Sequence, residues 1–216
     1  MPHHTLFFHS GNFQDYVEIE ENPSLKSMEH AFPVLASIVD DLEIKSNAKL
    51  VSIAFAFPQL VRIGSACEIQ HNEMLSRIQG AFVNLAYINA DLDLIANGFT
   101  EITGATFTRL QRVGKPLQIE ASPKLVSLRG AFPNLRVVSG RIVITSNPQL
   151  VELTDAFANL QVVADYDDDQ DEYEVRACVC VCVCVRVCVE KIMGEMWLLL
   201  CSWFARTMFF TLTDHA

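Results

Sequence analysis

The sequence predicts an all-β chain that winds into a right-handed, three-sided β-solenoid of six 25-residue coils, over residues 16 to about 165. Three observations predict it. Ala-Phe recurs every 25 residues, apolar residues fall in columns at fixed offsets from it, and prolines are confined to the segments between those columns.

The Phe column reads Phe32, Phe57, Phe82, Phe107, Phe132 and Phe157, each preceded by Ala except at Thr106. Three residues later come Leu35, Leu60, Leu85, Leu110, Leu135 and Leu160, and three after those Ile38, Ile63, Ile88, Val113, Val138 and Val163. Each period holds three short β-type pieces. The first is an apolar-x-apolar pair such as Leu42/Ile44 or Leu117/Ile119, whose alternation puts both side chains on one face. The second is Leu-x-x-Ile, as in Leu50/Ile53, and the third is the Leu-x-x-Ile/Val unit after Phe. Proline fixes φ and lacks an N–H, so Asn22-Pro23, Asn147-Pro148, Phe57-Pro58 and Phe132-Pro133 mark corners rather than central strands.

Stacking coils of one length places equivalent residues about 4.8 Å apart, the spacing of hydrogen-bonded strands. In the second coil, seven apolar side chains (Leu42, Ile44, Leu50, Ile53, Phe57, Leu60, Ile63) then face inward. At about 1.5–3 kcal/mol each, one coil cannot offset its own ordering entropy, whereas six stacked coils can. The Phe column is expected to form an internal aromatic stack. Asn22, Asn47, Asn72, Asn97 and Asn147, with Ser122 in the fifth coil, should form a ladder that satisfies backbone groups at a turn. The fourth coil departs from the pattern. Phe99 and Ile102 come one position early, and an extra residue before Phe107 restores the register, so a small bulge is expected there.

The units NPQLVELTDAFANLQVV (147–163) and SPKLVSLRGAFPNLRVVSGRIVIT (122–145) resemble receptor L-domain repeats, a kind of leucine-rich-repeat-like solenoid. The resemblance covers about 150 of the 216 residues. It implies a non-catalytic ligand- or protein-binding module, a fragment of a cell-surface or extracellular protein. It carries over no ligand, because the motifs lie in the core.

Charge narrows the partner. The chain carries a net −10, yet residues 16–164 hold 15 acidic and 12 basic side chains, a net of −3. The stretch 165–174 (DYDDDQDEYE) supplies −7 on its own. A nearly balanced solenoid argues against nucleic acid as the ligand. Residues 1–15, an N-terminal extension or cap, show no basic start followed by an apolar run and so do not read as a signal peptide.

The acidic run, residues 166–175, reads as a solvated linker, since it lacks the glycine and spacing of a calcium loop. Residues 176–216 open on CVCVCVCVRVCV (178–189), the strict alternation that a GT dinucleotide tract encodes. The segment therefore reads as translated non-coding sequence. A thiolate metal site there would need turns or polar residues between the cysteines. Met196 to Leu212 offers a route to a membrane, but its uninterrupted apolar run is short of the roughly 20 residues that span one.

No catalytic constellation, cofactor motif or metal-ligand spacing stands out in the solenoid. Glu43 and Glu68 should lie about 5 Å apart, the separation used by retaining glycosidases, but repetition makes such pairs automatically. The candidate binding face is the outward column Glu18, Glu43, Glu68 and Asp93, flanked by Asp91. Stacked carboxylates repel one another, so the column should destabilise the fold and suit a basic protein or glycan ligand. On another outward face Arg62, Arg112 and Arg136 stand out, with Tyr87 between them. The alternative readings are a structural or self-associating repeat protein and, more remotely, a carbohydrate-active solenoid enzyme.

Overall fold

In the computed structural model, described for Asn12, Phe13 and residues 15–163, the chain is an all-β solenoid of about six coils. The rest of the N-terminal extension, the acidic linker and the Val-Cys tail lie outside the described residues. One side of the solenoid is a six-stranded parallel sheet of four-residue strands: Val17–Glu20, Leu42–Lys45, Cys67–Gln70, Leu92–Ile95, Leu117–Glu120 and Ile142–Thr145. A second side is a seven-stranded parallel sheet of two-residue strands: Asn12–Phe13, Ser37–Ile38, Arg62–Ile63, Tyr87–Ile88, Arg112–Val113, Val137–Val138 and Val162–Val163. The Leu-x-x-Ile side carries only isolated parallel bridges, Ser27–Ser52–Arg77 and Glu101–Ser127–Glu152. Strand partners within both sheets are 25 residues apart, and Asn12 opposite Ser37 extends that register one step before residue 16.

The apolar columns fill the interior. Leu42, Ile44, Leu50, Ile53, Phe57, Leu60 and Ile63 are all fully buried, as are their counterparts in the third coil. The Phe rings stack near-parallel through all six coils, with centroids 4.7 to 5.4 Å apart. The Asn ladder is equally regular. Asn47 Oδ1 accepts from the backbone N–H of Asn22 at 3.1 Å, while its Nδ2 donates to the carbonyls of Ile19 at 2.7 Å and Lys45 at 2.9 Å. Asn72 repeats the arrangement one coil on. The residue before each ladder position (Glu21, Ser46, His71, Ala96, Ala121, Ser146) has φ between 50° and 57°. That left-handed turn reverses the chain out of the four-residue strand, and the Asn side chain ties down the carbonyls it exposes.

A second ladder, not anticipated from the sequence, runs along the corner after Phe. Asn84 donates to the Pro58 carbonyl at 2.7 Å, Asn134 to Thr108 at 2.7 Å and Asn159 to Pro133 at 2.6 Å.

The fourth coil deviates where expected, and the deviation is confined to the bridge side. One residue is missing after Asn97, and in that segment a Cβ at Gly98 would lie 2.3 Å from the Glu73 carbonyl oxygen. No bridge joins Arg77 to Glu101, and Glu101 instead pairs with Ser127, 26 residues on. In the same coil Thr106 replaces the column's alanine, and its buried hydroxyl has no hydrogen-bond partner.

Phe82 is fully buried between Phe57 and Phe107, so Phe82→Ala should destabilise the fold by about 3–5 kcal/mol in chemical denaturation through the cavity it leaves. Ala121, exposed at φ 50°, is the converse case. A left-handed conformation costs an L-residue about 1–2 kcal/mol and glycine's extra chain entropy about 0.5–1, so Ala121→Gly should stabilise the fold by roughly 0.5–1 kcal/mol in the same assay.

Candidate functional site

The four-residue strands present two outward columns. The first runs Glu18, Glu43, Glu68, Asp93, Gln118, Val143, and the second Glu20, Lys45, Gln70, Ile95, Glu120, Thr145. Register therefore brings Glu18, Glu43, Glu68 and Asp93 together as expected, with Asp91 at the corner where the fourth strand begins.

The column is not uniformly repulsive. Lys45 Nζ donates to Glu43 at 2.7 Å, pairs with Glu68, and lies 3.8 Å from Glu20. All four side chains are about a quarter exposed, dry enough for the pairing to matter. Burial works against the charge on Lys45, but the hydrogen bonds to Glu43 and Glu68 outweigh it and raise the ammonium's pKa. Glu20 titrates above its ordinary range, first through burial and then through Glu43, Glu18 and Glu21, with Lys45 opposing. The expectation that the whole column destabilises the fold thus needs correcting for Glu43 and Glu68, in the second and third coils. One lysine, two residues beyond Glu43 on the same outward face, compensates them. Glu43 and Glu68, the pair at glycosidase spacing, both point their carboxylates at this one ammonium.

Further along the column the compensation stops. Asp93 is buried, 9% exposed, and its two oxygens accept from Gln118 Nε2 at 2.9 Å and Gln70 Nε2 at 3.4 Å. Burial pushes its pKa up to about 6, and Asp91, Glu68 and Glu120 push in the same direction against the Gln118 hydrogen bond. No cation lies within ion-pair distance of Asp91, Asp93 or Glu120 among the described residues. Beneath Asp93, the fully buried Cys67 thiol is raised by burial and by the Asp93 and Glu68 carboxylates, which keeps it an inert core residue.

The ladder residues serve the fold. Asn22, Asn47, Asn72, Asn97 and Asn147 spend their amides on backbone groups, and Phe32 to Phe157 are internal. On the two-residue-strand side, Arg62, Tyr87 and Arg112 form one outward column, but Arg136 belongs to the neighbouring column beside Gln111. Arg136 stands just before the strand Val137–Val138, whose first residue is the one that pairs with Arg112.

Among the described residues, no three His, Cys, Asp or Glu side chains gather as a metal site. Nor is any helix there long and apolar enough to cross a membrane. Comparison with protein-family models, with characterised proteins and with solved structures finds no match to this chain. The likeness to receptor L domains therefore rests on the sequence motifs alone.

Asp93 makes stability depend on pH. Its carboxyl holds a proton up to about pH 6 in the folded chain and only to its ordinary 3.8 when exposed. Stability should fall as pH rises from about 4 to about 6 and remain lower above that. Asp93→Asn, which keeps an acceptor for Gln118, should then be neutral at pH 3.5 and stabilising at pH 7.5. At 1.4 kcal/mol per pH unit, discounted for screening by nearby water, the gain is about 1–2 kcal/mol. Urea melts at the two pH values measure it, and an equal effect at both would refute the assignment.

Proposed function

We propose that the solenoid is a non-catalytic binding module, resembling a receptor L domain of a cell-surface protein, and that it docks a basic ligand on the four-residue-strand sheet. The observation that carries this reading is the uncompensated acidic patch of Asp91, Asp93 and Glu120, next to a stretch where Lys45 pairs with Glu43 and Glu68 of the same column. Holding a carboxylate buried and unpaired costs stability, and a cation delivered by a partner offsets that cost. Gln70 and Gln118 orient Asp93 without discharging it, which leaves the electrostatic demand for the ligand to meet.

The patch and the Lys45 cluster separate in a binding experiment with a short lysine-rich peptide as probe. Asp91→Asn with Asp93→Asn should weaken peptide binding at least about tenfold at about 0.1 M salt while raising the melting temperature. Glu73→Gln with Glu101→Gln removes the same charge elsewhere and should leave binding within about twofold, because exposed charges beyond a Debye length of about 8–10 Å are screened. Equal weakening by both double variants would reduce the effect to net charge and defeat the reading. Glu43→Gln with Glu68→Gln should instead lower stability, since it removes both close carboxylates from Lys45 and leaves it only Glu20 at 3.8 Å.

A further inference from the structure

The opposite polarity is built into the two-residue-strand side. Each coil crosses it from its Phe to the next corner, in the segments 32–39, 57–64, 82–89, 107–114, 132–139 and 157–163. Those six segments contain no Asp, Glu or Lys; their only charged residues are Arg62, Arg109, Arg112 and Arg136. All four are exposed, and none has an ion-pair partner among the described residues. Arg112 reaches only the Ser139 hydroxyl, at 3.4 Å. The first carboxylates along the chain, Asp40 and Asp41, lie past the corner, where Asp41 accepts from the Ala66 N–H. Exposed apolar surface lies among the arginines: Tyr87 at 42%, Val61 at 45% and Val34 at 63%. Unpaired arginines around an exposed tyrosine are the composition of a binding hot spot for an anionic partner.

An occupant of matching chemistry is attached to this same side. The last strand of the sheet, Val162–Val163, leads after one residue into DYDDDQDEYE (165–174), with seven carboxylates, two tyrosines and no cation. Column neighbours are about 4.8 Å apart per coil, so Arg62, four coils back, lies about 19 Å from Val162 along the axis. Ten extended residues reach about 33 Å, enough to run past Arg136 and Arg112 to Arg62. We infer that residues 165–174 dock in cis across the arginine face, carboxylates on the guanidinium groups and Tyr173 against Tyr87 and Val61. Tethering gives the segment an effective concentration in the millimolar range, so it covers the face against weaker external anions. This inference is independent of the basic-ligand reading, which concerns another side of the solenoid.

The test uses the full chain and a fluorescent peptide of sequence DYDDDQDEYE as probe. In one variant, Asp165, Asp167, Asp168, Asp169 and Asp171 are changed to Asn, and Glu172 and Glu174 to Gln. At about 50 mM salt this chain should bind the probe at least tenfold more tightly than wild type does, because its own segment no longer competes. Adding Arg62→Gln, Arg112→Gln and Arg136→Gln should abolish that binding. Cleavage by an aspartate-specific protease gives a second readout that leaves the segment intact. Cuts within 165–174 should be several-fold faster in the triple arginine variant than in wild type at equal salt. The inference is overturned if the neutralised chain fails to bind the probe, or if binding survives loss of the arginines. It is equally overturned if wild type binds the probe as tightly as the neutralised chain, which would leave an external acidic partner as the occupant, or if cleavage is unchanged.

Discussion

Every interior contact in this molecule depends on one constraint, that each coil has the same length as the coil beside it. Parallel pairing with a 25-residue offset is what lets Phe meet Phe and Asn meet Asn. A single uncompensated insertion would shift one side by a residue and turn a buried column outward. The fourth coil shows how strictly this holds. It loses a residue before Phe99 and regains one before Phe107, so the irregularity is restricted to the bridge side and both sheets pass through it in register. Within the irregular stretch the bridge column is interrupted, only glycine fits at 98, and the Thr106 hydroxyl is orphaned in a column otherwise made of alanine.

The same constraint governs the surface, because stacking brings like against like outside as well as inside. For phenylalanine or asparagine this is favourable, since rings stack and amides chain. For carboxylates it is not, and the protein meets the problem in three ways. Lys45 stands among Glu20, Glu43 and Glu68 as a counter-ion. Gln70 and Gln118 bracket Asp93 with amide donors that leave it charged at neutral pH but raised. The arginine side avoids the problem by excluding carboxylates altogether. In a repeat protein, function is most readable where a column departs from repetition, and these three devices are such departures.

The period, the Phe, Leu and Ile/Val columns, the Asn ladder and the anomaly of the fourth coil were all legible in the sequence, because a fixed offset makes every coil a copy of its neighbours. Interactions between columns were harder to see. Lys45 is two residues from Glu43, hence on the same outward face, but a comparison of equivalent positions looks along columns and misses a neighbour across them. Arg136 was grouped with Arg112 by composition, although 24 rather than 25 residues separate them. The left-handed corners before the ladder left no trace, since Glu21, Ser46, His71, Ala96, Ala121 and Ser146 include no glycine. They are imposed by the ladder on residues with no intrinsic preference for them, whereas the second left-handed series, before Ala-Phe, carries Gly80 and Gly130 beside His30, Phe55 and Asp155. The second Asn series escaped because only Asn84, Asn134 and Asn159 carry it, in a column that also holds Val34, Gln59 and Arg109.

A solenoid with an acidic patch on one side and unpaired arginines on another is complementary to itself. Two copies could meet acidic patch to arginine face, and because the two surfaces differ, such a contact is heterologous and propagates rather than closes. Exposed β surfaces with matched charges are where repeat proteins run into open-ended association. On the cis-docking reading, the tethered acidic segment has a second consequence beyond covering the arginines. At a millimolar effective concentration it outcompetes the acidic patch of another molecule at any ordinary protein concentration. The acidic patch is then left as the available recognition surface, with a net negative field to draw in a basic ligand and repel another copy.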